Sequence, residues 1–150
     1  MDGDKESNWF LPIINVVCRH LRLVSYSADA VLEQRGEKAK HMIDTQDVLR
    51  RYLQKMVIDR APQHQSKKMG CLFIIVHLFK LYFKLNNLKL CTFLIKMVKQ
   101  LPALDQYPKA QVIAYKYYLG RLNVFEEKYD EAEEVRKERG EINFHEIVES

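Results

Sequence analysis

The sequence predicts an all-α fold of antiparallel helix pairs, a tetratricopeptide-like α-solenoid. Three observations support this. Only 5 glycines and 4 prolines occur among 150 residues, which favours long helices over a turn-rich β architecture. Apolar residues recur at spacings of three and four along most of the chain, the period of an amphipathic helix. Apolar residues make up 47% of the chain and charged residues 29%, a composition typical of a globular protein with a core.

The first predicted helix runs from about Trp9 to Ser27. Ser7 or Asn8 is expected to cap it, and Pro12 falls in the first turn, where a missing N–H group costs nothing. Its apolar residues recur at helical spacing, so we expect them to form one buried stripe. The stripe consists of Ile13, Val16, Val17, Leu21 and Val24.

The second predicted helix follows a break at Gly36. It starts near Asp44 or Thr45 and ends before Pro62, because the residue that precedes a proline is disfavoured in the helical conformation. One side of this helix is apolar and should face the core. That side carries Val48, Leu49, Tyr52, Leu53, Met56 and Val57.

The second half of the chain predicts shorter helices joined by tight turns. The third helix, residues 68–85, is apolar nearly all round and is expected to be the most buried element. A turn at Asn86 or Asn87 leads into the fourth helix, residues 88–100, and the fifth runs from Ala110 to about Glu126. A strongly charged sixth helix is predicted to start at Tyr129.

A repeat of helical hairpins is suggested by the spacing of small and large residues. In a tetratricopeptide hairpin, a small residue in the first helix meets a small residue 12 positions later, where the two helices cross closely. Leu119, Gly120 and Ala132 have this spacing. A weaker match places Phe79 and Cys91 at the corresponding positions 41 residues earlier. We therefore predict two degenerate hairpins, with Leu119, Gly120 and Ala132 at a helix crossing.

The charge is distributed unevenly along the chain. Residues 1–125 carry 20 basic and 10 acidic side chains, whereas residues 126–150 carry 4 and 10. A basic body favours an anionic partner such as nucleic acid, although lysines that only solubilise a helical surface give the same pattern. The residues that we select as candidates for facing nucleic acid are Lys67, Lys68, Lys80, Lys84, Lys116 and Arg121.

The sequence contains no pattern of residues that predicts catalysis. The five histidines have no metal-ligand spacing to one another or to the cysteines, and there is no glycine-rich phosphate loop. Cys18, Cys71 and Cys91 are far apart in apolar surroundings and are expected to be buried free thiols. His77 is expected to be a hydrogen-bonded core histidine. We predict a protein that is not an enzyme, with no catalytic residue, metal, cofactor or small-molecule substrate.

Membrane insertion and export are not predicted either. The most apolar run, Cys71–Phe83, has 13 residues and contains His77 and Lys80, whereas a membrane span needs roughly 20 residues. The start of the chain is acidic and lacks the basic region of a secretory signal.

Long stretches of the sequence resemble the PCI-domain subunit of the TREX-2 messenger-RNA export complex. The similarity lies in "SKKMGCLFIIVHLFKLYFKLNNLKLC" (Ser66–Cys91), "YPKAQVIAYKYYLGR" (Tyr107–Arg121) and "NWFLPIINVVCRHLRLVS" (Asn8–Ser25). It covers about residues 8–134. A related subunit of the COP9-type signalosome is a near neighbour.

The resemblance implies a fold and a set of partners. The family combines a helical-repeat half with a winged-helix half, and the winged helix is expected to be missing here, since the sequence after Glu134 departs from the family pattern. We expect a disordered start at residues 1–7, a helical-repeat domain at 8–134 and a charged tail at 135–150.

The implied role is that of a non-enzymatic subunit in messenger-RNA export coupled to transcription. Its location would be the nucleus, including the nuclear pore, or also the cytoplasm. The implied partners are a large scaffold subunit, a small acidic subunit and RNA or DNA. A general nucleic-acid-binding helical module and a subunit of a COP9 signalosome-like assembly remain alternatives.

Overall fold

The protein is all-helical throughout the part of the chain that the structure describes, which confirms the predicted fold class. The structure is a computed structural model and describes residues 9–62 and 65–138. Over these ranges it contains five α-helices and no strand. They are α1 (Leu11–Gln34), α2 (His41–Val57), α3 (Cys71–Lys84), α4 (Cys91–Val98) and α5 (Lys109–Glu138). The predicted start at residues 1–7, and most of the predicted tail, lie outside the described residues.

Helix α3 forms the centre of the core and contacts α1, α2 and α4. Ten of its 14 residues are buried, as expected for a helix that is apolar on almost every side. Leu53 of α2 and Leu94 of α4 are also fully buried. The prediction that the third helix is the most buried element is therefore confirmed.

The connection between α1 and α2 is stabilised by one buried carboxylate. Gly36 has a φ of +75°, a left-handed conformation that glycine adopts without steric cost, so the predicted break is correct. Both oxygens of Asp29 accept hydrogen bonds from the backbone at the start of α2, at 3.0 Å from Lys40 N, 2.8 Å from His41 N and 2.8 Å from Met42 N. The side chain of Asp29, which belongs to α1, thus acts as the N-terminal cap of α2.

A second carboxylate organises the loop between α2 and α3. The carboxylate of Asp59 accepts hydrogen bonds from the backbone N–H groups of Ala61 and Lys67 and from the hydroxyl of Ser66. The N–H of Lys67 is the main reason that the pKa of Asp59 is lowered. A 3₁₀ turn at Lys67–Gly70 leads directly into α3, which therefore starts three residues later than predicted.

Helices α3 and α4 form a hairpin of the predicted kind. Asn86 has a φ of +56° and reverses the chain between them, since asparagine tolerates the left-handed region better than most residues. A 3₁₀ turn at Leu88–Leu90 precedes α4. Phe79 and Cys91, at the predicted hairpin positions, are both fully buried.

The predicted buried stripe of α1 is wrong. Exposure is 55% for Ile13, 56% for Val16, 52% for Val17, 37% for Leu21 and 63% for Val24. Helix α1 instead buries Leu11, Cys18, Ser25 and Asp29. The physical reason is that polar contacts set the rotation of α1, because Asp29 must reach the start of α2. The helix is also longer than predicted, and its N-cap is Phe10, with no side-chain cap.

The predicted boundary between a fifth and a sixth helix is also wrong. Helix α5 is continuous from Lys109 to Glu138, so Leu119, Gly120 and Ala132 lie along one helix rather than in a hairpin. No proline or left-handed residue interrupts α5, and its residues between Glu126 and Tyr129 are good helix formers apart from the aromatic one.

The structure divides into two compact units with a boundary between Tyr115 and Lys116. In the first unit, Tyr115 is buried and its ring lies 5.9 Å from the ring of Phe79. The second unit contains the remainder of α5. The predicted domain limits, 8–134 and 135–150, stay predictions.

Candidate interaction surfaces

Four of the six predicted nucleic-acid residues lie in the first unit, and the other two lie in the second unit. Lys67 and Lys68 lie in the 3₁₀ turn before α3, Lys80 and Lys84 lie one turn apart on α3, and Lys116 and Arg121 lie on α5. Within the first unit, Lys80 and Lys84 have basic neighbours from α1. The nucleic-acid role of all six residues stays a prediction.

The turn at Lys67 and Lys68 is largely occupied by structural contacts. The N–H of Lys68 bonds to the hydroxyl of Ser66, and its carbonyl accepts a hydrogen bond of 2.7 Å from the hydroxyl of Tyr107. The Lys67 ammonium lies 6.0 Å from the centre of the Phe10 ring. The backbone of both residues thus holds the loop against the core.

Helices α1 and α3 together form a group of four cations, which we call the basic cluster. Its residues are Arg19 and Arg22 from α1 and Lys80 and Lys84 from α3. The Arg22 guanidinium and the Lys84 ammonium lie 5.3 Å and 5.7 Å from the centre of the Tyr26 ring, within the range of cation–π attraction. Tyr26 therefore joins the two helices at this surface.

The basic cluster extends inward to His77. Arg22 Nε donates a 2.9 Å hydrogen bond to His77 Nδ1, so the neutral ring carries its proton on Nε2. Burial lowers the pKa of His77 to about 3, and the charges of Arg22, Lys80 and Arg19 act in the same direction. His77 is 3% exposed, and the prediction of a hydrogen-bonded core histidine is confirmed.

The cations of the basic cluster repel one another without local compensation. Burial lowers the pKa of Lys80, and the charges of Arg22 and Arg19 lower it further. Among the described residues, none of the four cations forms an ion pair with a carboxylate. Concentrated positive charge of this kind attracts anionic groups. The cluster is the strongest candidate for an anion-binding surface in the first unit.

A second surface is the exposed side of α1, which we call the apolar α1 face. It consists of Ile13, Val16, Val17, Leu23, Val24 and Val31, each 41% to 63% exposed. Single exposed apolar residues are ordinary, but several on one side of a helix are typical of a site of contact with another protein. The exposed His20 and Ser27 lie on the same side of α1. Arg19 follows Val16 by one helical turn and precedes Leu23 by one turn, so the basic cluster borders this face.

In the second unit, α5 carries a shallow groove of about 590 Å³. Its lining is made by Lys116, Tyr117, Gly120, Arg121, Val124 and Phe125. A Cβ added to Gly120 would meet nothing within 4 Å, and Gly120 and Ala132 lie on one continuous helix, so these two residues do not form the predicted crossing of two helices. Gly120 instead leaves a notch between exposed side chains.

Residues Arg19, Arg22 and Tyr26 were not selected from the sequence. Their spacing of three and four residues places them on one side of a helix, and this signal was available in the sequence. This spacing was not recognised as a signal because the same helix also carries a regular apolar stripe, from which the wrong side of the helix was predicted to be buried. Only the packing of α1 on α3 shows that these residues meet Lys80 and Lys84.

The remaining candidates for chemistry among the described residues are metal-ligating side chains and thiols. No group of three or more metal-ligating side chains occurs among them. Burial raises the pKa of Cys18 to about 11 and that of Cys71 to about 12. All three cysteines are buried, and none forms a disulfide. None of the helices in the described ranges has both the length and the apolar character that a membrane crossing needs.

Comparison with known proteins identifies the family. The chain is 38% identical over 133 residues to PCI domain-containing protein 2 of Danio rerio and 36% identical over 133 residues to that of Xenopus laevis; each match covers 87% of this chain and 33% of the relative. The chain belongs to the PCI domain-containing protein 2 family. Proteins with a PCI domain are generally non-catalytic scaffold subunits that act in multi-subunit complexes.

The chain is also similar to a protein with a different name. A protein named Protein CSN12 homolog from Neurospora crassa is 32% identical over 148 residues, a match that covers 84% of this chain and 33% of the relative. The chain spans about a third of the length of these curated PCI-family relatives. No protein-family model matches the chain, and no solved structure matches it significantly.

Proposed function

We propose that this PCI-family chain is a non-enzymatic scaffold subunit of a TREX-2-like complex that couples messenger-RNA export to transcription in the nucleus. The observation that carries the proposal is the apolar α1 face, six exposed aliphatic side chains on one helix. A surface of this kind fits a role in which the chain holds other proteins together. The large scaffold subunit and the small acidic subunit of such a complex are the proposed partners.

Two features favour protein contacts over catalysis. The thiols of Cys18 and Cys71 have raised pKa values and are buried, so neither is an activated nucleophile. His77 is engaged by Arg22 and is neutral, so it is not placed to exchange protons with a substrate. The exposed features of the first unit are instead an apolar strip and a cationic border.

Affinity purification of the tagged full chain from nuclear extract, followed by identification of the bound proteins, tests this function. We expect a large TREX-2-type scaffold subunit to co-purify with the wild-type chain and to be lost with Val24→Glu, since Val24 is 63% exposed and its substitution leaves the core intact. The matched control is Ile58→Glu, at a residue that is 74% exposed outside α1. Recovery of signalosome subunits instead would favour the COP9-like alternative.

Loss of the protein in cells gives a second, independent measurement. If the chain acts in export, its depletion causes polyadenylated RNA to accumulate in the nucleus, and the wild-type chain reverses this whereas Val24→Glu does not. An unchanged distribution of polyadenylated RNA after complete depletion would contradict the export role while leaving membership of the family intact.

The alternative function, a nucleic-acid-binding module, is favoured by the basic cluster. Four phosphate contacts to single-stranded RNA would give a slope near −3 for log affinity against log salt, so affinity would fall about 50-fold between 50 and 200 mM salt. Fluorescence anisotropy with a labelled single-stranded RNA measures this. Lys84→Glu should weaken binding, and Lys55→Glu, a lysine on α2, is the control. Binding that is equally strong in both variants would rule out the cluster as the RNA site.

A further inference from the structure

The exposed side of α1 has the residue spacing of a helix that packs along a second helix. Its central line, which we call the α1 seam, steps alternately by four and three residues. A period of 3.5 residues is that of the contact between two helices that cross at a small angle. Three valines one heptad apart alternate with an isoleucine, a histidine and a serine. The seam consists of Ile13, Val17, His20, Val24, Ser27 and Val31, all exposed.

The length of the seam and its chemistry favour a helix over an extended segment as occupant. From Ile13 to Val31 the seam extends over about 27 Å at 1.5 Å per residue, the length of a helix of about five turns. A helix satisfies its own backbone hydrogen bonds, whereas an extended segment would press unpaired N–H and C=O groups against aliphatic side chains. The backbone of α1 is already paired within its own helix, so it offers such a segment no partners.

The two edges of the α1 seam differ in charge. The edge next to α3 carries Arg19 and Arg22, and Lys84 of α3 lies beside them at the same aromatic ring as Arg22. The opposite edge is formed by Leu21 and Ala28. A helix bound along the seam is therefore best matched when its carboxylates lie on the edge that faces α3 and apolar residues lie on its other edge.

Within the described residues, no carboxylate compensates the cationic edge. None of the basic-cluster residues forms an ion pair there. Asp29 of α1 is buried in the cap of α2. Glu33 is exposed but lies about three turns beyond Arg22, or about 16 Å along the helix, whereas charges are screened over about 8 Å at physiological ionic strength. The edge is therefore open to carboxylates from another molecule.

We propose that the apolar α1 face binds one amphipathic helix of a partner protein, about five turns long, whose apolar strip packs along the α1 seam and whose carboxylates, on one edge, pair with Arg19, Arg22 and Lys84. The inference deepens the proposed scaffold function and rests on it, since it states which kind of segment the chain holds.

Charge and apolar area distinguish this occupant from a second copy of the chain and from RNA. If α1 paired with α1 of a second copy in antiparallel orientation, the two-fold axis would place the two cationic edges side by side, where they repel. Parallel pairing of two copies would leave the cations without partners. Single-stranded RNA would neutralise the cations but leave the valines of the seam in water. An acidic amphipathic helix covers both features.

Photo-crosslinking from two positions of the seam tests the proposal with the full chain in cells. The tagged chain carries p-benzoylphenylalanine in place of the exposed Val17 or, separately, Val24, and the crosslinked peptides are sequenced by mass spectrometry. Two packed helices advance by the same rise, so we expect the two positions to mark sites about seven residues apart in one partner segment. Sites about three residues apart would indicate an extended segment and would overturn the proposal.

The sequence of the marked segment is the second readout. It should contain apolar residues at helical spacing and carboxylates three or four residues apart along one edge. A segment without these carboxylates, crosslinks to RNA, or crosslinks to a second copy of this chain would each contradict the proposal. The control is Ile58→p-benzoylphenylalanine, at an exposed residue outside α1, which should not mark the same segment.

The affinity of the chain for a labelled synthetic peptide of the marked segment measures the role of the charged edge. In fluorescence anisotropy, the double variant Arg19→Glu with Lys84→Glu should bind the peptide at least about tenfold more weakly than wild type. The matched control, Lys55→Glu with Lys99→Glu, changes the net charge equally away from the basic cluster and should bind as wild type does. Circular dichroism confirms that each variant is folded.

A second peptide, with its carboxylates replaced by glutamine, completes the cycle. It should bind the wild-type chain and the Arg19→Glu, Lys84→Glu variant with equal affinity, because the charge interaction is then absent from both. If the original, acidic peptide also binds both chains equally, the proposed pairing of carboxylates with the basic cluster is wrong.

The identity of the crosslinked protein separates this inference from the proposed function. If the marked segment is a helix with an acidic edge but belongs to a protein outside messenger-RNA export, the inference stands and the export function fails. If the large scaffold subunit is still recovered with Val24→Glu, and neither seam position marks a segment, the scaffold function stands through another surface and the inference fails.

Discussion

Replacing Asp29 by alanine should destabilise the protein far more than its position near the end of a long helix suggests. Asp29 is 1% exposed and bonds to the N–H groups of Lys40, His41 and Met42 at 2.8 to 3.0 Å. These are donors at the start of α2 that the helix itself cannot satisfy. Without the carboxylate, α2 begins with no side-chain acceptor, since Lys40 provides none as N-cap.

The magnitude follows from the environment of the three donors. The bond to Met42 is buried, and leaving a buried donor unsatisfied costs about 1 to 3 kcal/mol. The bonds to Lys40 and His41 are only partly buried, so water replaces part of each, and about 0.5 kcal/mol is lost per bond. We expect Asp29→Ala to lower the free energy of unfolding by about 3 kcal/mol. Asp29→Asn, which keeps one acceptor oxygen, should cost about half as much.

Urea unfolding at pH 7, followed by circular dichroism at 222 nm, measures the change. The control is Asp47→Ala on α2, because Asp47 only pairs with Arg50 at 3.6 Å and both side chains are more than 40% exposed. An exposed pair of this kind contributes about 0.5 kcal/mol or less. If Asp29→Ala lowers the free energy of unfolding by no more than Asp47→Ala does, the claim that the Asp29 carboxylate caps α2 is refuted.

The effect of Asp29 should also depend on pH. Burial raises the pKa of Asp29, but the N–H donors of Met42, His41 and Lys40 outweigh it and the pKa is lowered. An aspartate whose pKa is lower in the folded state stabilises the protein when the pH is above its pKa in the unfolded state, near 3.9. This stabilisation is lost as the pH falls toward and through the pKa of the folded state. The difference between wild type and Asp29→Asn should therefore be constant from pH 7 to about pH 5 and shrink below about pH 4.

Three further substitutions test other parts of the structure. The pKa of His77 is lowered to about 3 in the folded protein, so the unfolded state binds a proton first as the pH falls. Between pH 6.5 and pH 5, the free energy of unfolding of the wild type should therefore fall by up to about 2 kcal/mol more than that of His77→Gln, as measured by urea unfolding. Tyr107→Phe removes the 2.7 Å hydrogen bond to the Lys68 carbonyl and should lower the free energy of unfolding by about 1 kcal/mol. The control, Tyr117→Phe at an exposed ring, should change it very little. Equal changes in the two variants would contradict a stabilising role of the hydrogen bond. Gly120→Ala should stabilise α5 by about 0.5 to 1 kcal/mol, because the added Cβ meets no atom within 4 Å; a lower thermal midpoint would instead indicate a close helix crossing at this residue.

The core was predictable because its signal is local. Residues 71–84 are apolar on every side, so α3 is buried whichever way it rotates, and the turn at Asn86 is marked by residues that tolerate the left-handed conformation. The burial of His77 and Cys71, which lie in this segment, was predicted correctly for the same reason. A side chain within a uniformly apolar segment has only one environment available to it.

The candidate surfaces were predictable only in part. Lys80 and Lys84 were selected from their spacing, but their partners Arg19 and Arg22 are more than 50 residues away in sequence. The apolar spacing of α1 correctly predicted a helix and wrongly predicted its buried side. Periodicity shows that a helix has an apolar face, but it does not show whether that face has something to pack against.

Sequence alone determined the helical fold class, the burial of α3 and the absence of a recognisable catalytic pattern, because these depend on composition and on contacts between near neighbours. Tertiary structure decided which side of α1 is buried, the meeting of four cations around Tyr26 and the continuity of α5 past Gly120. The reach of the Asp29 carboxylate to the start of α2 sets the rotation of α1. That rotation leaves six aliphatic side chains exposed beside a cationic border.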